Sequence, residues 1–126
     1  MSNQLEGLYA IVVDPSAGVS IKHLPNGRAS LNELYSIIDC DYVELSVLTD
    51  TLDLFVDEEG FVNGASNRVG VFQVQDADGE RLGQVMYAGR GVILQHDTEF
   101  NDSIGFSEER ARQIADSLIF QSGMSL

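Results

Sequence analysis

Residues 42–57 read Tyr42-Val43-Glu44-Leu45-Ser46-Val47-Leu48-Thr49-Asp50-Thr51-Leu52-Asp53-Leu54-Phe55-Val56-Asp57. β-Branched and aromatic residues are frequent, and apolar and polar side chains alternate on both sides of the centre. The pattern predicts strands over Tyr42–Leu48 and Leu52–Asp57, joined by a two-residue turn at Asp50-Thr51. That turn sets Val47 opposite Leu54 and Leu45 opposite Val56, so that Val43, Leu45, Val47, Leu54 and Val56 face the core. Glu44 then falls opposite Asp57 on the other face, which Asp53, Leu48 and Phe55 share. Like charges directly opposite one another destabilise a sheet. This face is therefore expected to be solvated, screened by salt or neutralised by a partner.

Upstream, Leu8–Val13 and Val19–Leu24 are strand-like and flank the turn Asp14-Pro15-Ser16-Ala17-Gly18, which predicts a hairpin. Pro25-Asn26-Gly27 breaks the chain. Ser30-Leu31-Asn32-Glu33 has the form of a capping box, and Leu31, Leu34, Tyr35 and Ile38 follow at helical spacing. A helix is expected from Leu31 to about Asp39.

Downstream, Glu58-Glu59-Gly60 and Asn63-Gly64 are turn signals. Val69–Gln75, Gly83–Ala88 and Val92–His96 read as strands, with Gly89-Arg90-Gly91 interrupting, and suggest a β-meander. Thr98–Gly105 reads as a polar loop. Ser107 caps a final helix whose first turn holds Glu108 and Glu109. Its buried stripe is expected to be Ala111, Ile114, Ala115, Leu118 and Ile119, and Gly123 lies just past its end. The expected fold is α+β: one antiparallel sheet of hairpins and meander, with two helices packed on a face, in a single domain over residues 1–126.

With 126 residues and 44% apolar content, the chain can bury a core without metal or disulfide support. Its single cysteine, Cys40, forms no internal disulfide, and the N-terminus lacks a basic signal region. No apolar run approaches a membrane span. A cytoplasmic location is expected.

The net charge is −13. Residues 29–67 contain no Lys or Arg and hold nine acids: Glu33, Asp39, Asp41, Glu44, Asp50, Asp53, Asp57, Glu58 and Glu59. Such a field favours basic partners and disfavours nucleic acid or anionic membrane. The same composition, with one Lys against six Arg, also suits a salt-adapted or GC-rich genome. Edge strands left by a meander would allow a homo-oligomer.

Several groupings of residues suggest chemistry. Asp76-Ala77-Asp78-Gly79-Glu80 begins like a calcium loop, but Arg81 and Tyr87 stand where an EF-hand needs Gly and Glu, so a hairpin turn fits better. Cys40, His96 and Asp97 could be written as a thiol set, yet the acidic setting of Cys40 would blunt its reactivity. Glu44, Asp53 and Asp57 could hold a divalent metal, but the window lacks the basic groups a phosphorylated substrate needs. No catalytic residue, cofactor or metal is assigned. Arg68, Tyr87 and Arg90 remain as a set that could stack a base and hold phosphate.

Several motifs resemble one family. They are a strand ending in Asp14-Pro15, a helix near Ser30–Ile38, the run Asp57-Glu58-Glu59-Gly60-Phe61-Val62-Asn63-Gly64 and then Asn67-Arg68. A Gly-punctuated strand over Gly89–Leu94 and Phe106-Ser107-Glu108-Glu109 at a helix start complete the set. Together they resemble the domain of unknown function 3846 family. The resemblance covers most of the chain and implies a phage or plasmid accessory protein; it transfers no activity and no catalytic residue.

The leading expectation is a non-enzymatic interaction protein. It would offer Glu44, Asp50, Asp53, Asp57, Glu58 and Glu59 to a basic surface of a host protein, as an anti-defence factor or a mimic of a phosphate backbone. The alternative is a nucleotide or small-molecule binder using Arg68, Tyr87 and Arg90.

Overall fold

Two short-range hairpins begin the sheet. In the computed structural model, β1 (Leu8–Asp14) pairs antiparallel with β2 (Gly18–Leu24), from Leu8 opposite Leu24 to Asp14 opposite Gly18. The Ala17 amide donates to an Asp14 carboxylate oxygen (3.2 Å), and Gly18 closes the turn at a φ of 92°, which side chains disfavour. β3 (Val43–Val47) and β4 (Leu52–Asp57) form the second hairpin. The structure describes residues 8–15, 17–25, 27, 31–40, 42–47, 52–58, 71–75, 87–97, 102–117 and 119–122.

Between the hairpins lies α1 (Leu31–Ile38), as its periodicity predicts. It ends in a Schellman arrangement: Asp39 adopts a φ of 64°, and the Cys40 amide donates back to the Tyr35 carbonyl (3.1 Å). The expected cap, Ser30, lies outside the described residues. The remaining elements are β5 (Val71–Gln75), β6 (Tyr87–Ala88), β7 (Gly91–Asp97), β8 (Asp102–Ile104), β9 (Phe106–Ser107), α2 (Glu108–Ser117) and β10 (Ile119–Ser122). Ser107 caps α2 as expected, its Oγ accepting from the Arg110 amide (3.2 Å).

The expected α+β architecture is present: among the described residues, a seven-stranded antiparallel sheet with two helices. Its main path runs β2-β1-β7-β4-β3, with β8 paired to β7 and β9 to β1. The strands do not follow sequence order as a meander would. Instead β7 enters between the hairpins, antiparallel to both β1 and β4. β10, β5 and β6 form a separate three-stranded ladder. Ile119, expected in the last turn of the second helix, starts β10 instead, and Leu118 lies outside the described residues.

The helices cover opposite faces of the sheet rather than one. Ile11, Val13, Leu54, Val56 and Ile93 pack with Phe106, Ala111 and Ile114, on the α2 side. Ala10, Leu24, Val92 and Leu94 pack with Leu34 and Ile38 of α1. Neighbouring residues of a strand point to opposite faces, so a strand buried on both faces reads as a continuous apolar run. Ile11-Val12-Val13 and Val92-Ile93-Leu94 are such runs.

The second hairpin is shifted by one residue from the expected register. Val47 stands opposite Asp53, Leu45 opposite Phe55, Glu44 opposite Val56 and Val43 opposite Asp57. A one-residue slip moves every side chain of a strand to the other face relative to its partner. Leu54 and Val56 are buried as expected, but Leu45 is not in the core and is 48% exposed. Glu44 and Asp57 are not paired. The two-sided burial of β4 explains the shift: when both faces are apolar, alternation no longer selects one register.

Gly105 sits where the chain passes between β8 and β9. Its amide donates to the Gly27 carbonyl (2.8 Å), and its carbonyl accepts from Gln95 Nε2 (2.9 Å). A Cβ there would lie 3.0 Å from both the Leu8 Cβ and the Tyr9 amide nitrogen. Gly105→Ala is expected to destabilise the fold by about 1–3 kcal/mol through overpacking against backbone. Urea unfolding should show a lower midpoint with an unchanged slope.

Candidate functional site

A carboxylate in the middle of an apolar strand demands a partner, because burying an unpaired charge costs several kcal/mol, in round figures. Asp53 is such a residue. It stands in β4 between Leu52 and Leu54, is paired in register with Leu94, and is only 1% exposed. Two donors from neighbouring strands converge on its Oδ2: His96 Nδ1 of β7 at 2.9 Å and Ser103 Oγ of β8 at 2.6 Å. Its Oδ1 is buried with no hydrogen-bond partner among the described residues. The register explains the convergence. Ser103 stands opposite His96, and His96 lies two residues beyond Leu94 on the same face.

The arrangement selects one imidazole tautomer. An ionised carboxylate only accepts, so Nδ1 carries the proton, and Nε2 is left as an acceptor when the ring is neutral. The His96 side chain is 26% exposed. Ser103 directs its hydroxyl proton to Asp53, so its hydroxyl is not aimed at the imidazole as a nucleophile's would be. Chemically the cluster is a charge-assisted tie across β4, β7 and β8.

This corrects the placement of Asp53, which was expected on a solvated acidic face. It faces inward and offers no charge to a partner. Asp57 is half-buried at the end of β4, while Glu44 in β3 and Glu58 just after β4 are exposed. Glu44 lies on the face opposite to Asp53 and Asp57, so these three acids do not converge. Asp50 and Glu59 lie outside the described residues.

The alternative ligand set is not brought together among the described residues. Arg90 directs its Nε to Asp14 Oδ2 at 2.9 Å, tying the start of β7 to the end of β1. Gly89 beside it is buried, with a φ of 86°. The Gly89-Arg90-Gly91 segment therefore serves as the entry turn of the central strand. Tyr87 pairs through its backbone with Phe72, and Arg68 lies outside the described residues. Cys40 packs half-buried on the α1 side of the core, and the partner of His96 is Asp53 rather than Asp97.

What the acidic window does place together is a rim at β3. Tyr42 is 58% exposed and Leu45 48% exposed, and these are the exposed large apolar side chains among the described residues. The Glu58 amide donates to the Tyr42 carbonyl (3.0 Å), which extends the β3–β4 ladder by one pair. Glu44 and Glu58 thus stand with Tyr42 on one face of the sheet margin, and Leu45 stands on the other.

The Asp53 tie was missed from sequence because its donors come from distant positions. The available signal was a single acid inside Leu52-Asp53-Leu54-Phe55-Val56. Asp53→Ala is expected to lower stability by about 1.5–3 kcal/mol, the scale of hydrogen bonds to a charged group. Ser103→Ala, which removes one donor, should cost less. Chemical denaturation of both variants checks the order.

Comparison with curated proteins and with solved structures gave no match. A family model described as a domain of unknown function, DUF3846, matches residues 8–119, from the start of β1 to the start of β10. That span holds both hairpins, both helices and the Asp53 tie, and the chain belongs to the DUF3846 family.

Proposed function

We propose that the protein is a small acidic interaction module that presents the rim at β3 to a basic surface of a protein partner. The observation that carries this reading is the exposure of Glu44 and Glu58 with Tyr42 on one face of the margin, and of Leu45 on the other. Interfaces that hold combine an apolar or aromatic anchor with a charged surround, and this margin has both. The surrounding chain supports it electrostatically, since residues 29–67 carry no basic side chain. A negative field of this kind accelerates encounter with cationic surfaces and repels nucleic acid. In the mobile-element setting that the resemblance implies, the partner is a basic host protein, and the module stands in for a phosphate backbone.

The reading is tested with a lysine-rich peptide as probe, followed by fluorescence anisotropy across a salt series. The double reversal Glu44→Lys/Glu58→Lys should weaken binding roughly tenfold at low salt, from exposed-pair energies of about 0.2–1 kcal/mol for each ion pair removed and a like-charge penalty on top. Glu109→Lys/Asp116→Lys on the exposed side of α2 changes net charge equally and serves as the control. Equal loss in both variants would show that only net charge matters, and the rim reading would fall.

A further inference from the structure

Resting on that reading of the rim, we infer that β3 is a docking edge for an extended segment of the partner, which adds to the sheet as a strand and alternates basic with apolar residues. Antiparallel ladders alternate hydrogen-bonded and non-hydrogen-bonded pairs. The bond from the Glu58 amide to the Tyr42 carbonyl marks Tyr42–Glu58 as a hydrogen-bonded pair. With Glu44 opposite Val56 and Ser46 opposite Leu54, the same parity turns the backbone groups of Tyr42, Glu44 and Ser46 toward β4. The amides and carbonyls of Val43, Leu45 and Val47 therefore point away from the sheet. β3 ends the strand order, and no strand lies beyond it among the described residues.

The opposite margin differs in charge. β2 carries Lys22, the chain's one lysine, exposed on its length, a device that discourages strand addition. The charge on β3 is Glu44, which guards the edge against another acidic chain but admits a basic segment. An edge with three residues' worth of outward backbone groups gives affinity by main-chain bonds, and its side chains then set specificity at every second position. On the face that carries Tyr42, Glu44 and Glu58, the incoming residues should be Lys or Arg, which pair with the carboxylates and stack on the Tyr42 ring. On the face that carries Leu45, they should be apolar. A second copy of this chain is the poorer occupant, since two molecules of net charge −13 repel.

The test is amide hydrogen exchange by NMR on the intact protein, with a labelled peptide of alternating Lys and Val as the probe. In the free protein the amides of Val43, Leu45 and Val47 should exchange quickly, while those of Glu44 and Ser46 are protected by β4. Adding the peptide should protect Val43, Leu45 and Val47 selectively. A peptide of the same composition with Lys and Val in separate blocks should bind roughly tenfold more weakly, as should an alternating peptide N-methylated on the residues whose amides face β3. Leu45→Pro removes an outward amide and should reproduce that loss. The N-methylated peptide, used with the unaltered protein, holds the test if this variant does not fold.

Slow exchange at Val43, Leu45 and Val47 in the free protein would show the edge already covered, and would overturn the proposal. Concentration-dependent protection of these amides without peptide would assign the edge to a second copy and overturn it likewise. If both peptides bind equally and only Glu44→Lys/Glu58→Lys weakens them, strand addition is wrong while the acidic-rim reading stands. If neither peptide distinguishes that variant from the α2 control, both fall.

Discussion

β7 has a strand on each side and buried side chains on both faces, and the other elements take their places around that fact. It pairs with β1 through Ile93 opposite Ile11, and with β4 through Ile93 opposite Leu54. Both early hairpins are thereby joined by a segment that comes late in the chain. Long-range pairing of this kind is entropically expensive and forms only when the apolar surface it covers is large. Val92, Ile93 and Leu94 are each buried almost completely, which supplies that surface. The Arg90–Asp14 pair and the Gly105 crossing sit at the margins of the same strand and hold its alignment to β1.

Central burial sorts the acids. A carboxylate in β4 that faces the α1 side must find its partners within, and Asp53 Oδ2 does, in a ring from β7 and a hydroxyl from β8. A carboxylate in β3, the outermost strand, needs no internal partner because water solvates it. Glu44 and Glu58 thus keep their charge available, and Asp53 does not. The net charge of the basic-free window overstates what reaches a partner. Among the described residues, Glu44 and Glu58 stand exposed along one margin, together with the apolar side chains of Tyr42 and Leu45.

Local signals carried most of the secondary structure. The turn at Asp14–Gly18, the periodicity of Leu31–Ile38 and the Ser107 cap each depend on residues within a few positions of one another. All three were legible. Asp102-Ser103-Ile104 has little intrinsic strand character and by itself reads as loop; it is a strand because β7 offers it a ladder. Leu45 reads as a core residue because alternation along β3 is regular; it does share a face with Val43, which packs on the α1 side, but alternation alone cannot say how far along an edge strand the covering reaches.

The amino-acid sequence by itself determined the α+β class, two hairpins, two helices and the acidic balance, since these rest on turn chemistry, periodicity and composition. Tertiary structure alone decided the place of β7, the one-residue register of β3 on β4, the two-sided burial of the sheet and the inward fate of Asp53. The physical reason is common to all four. Each depends on which strand lies beside which, and that choice is made by contacts between residues tens of positions apart, where no local pattern reaches.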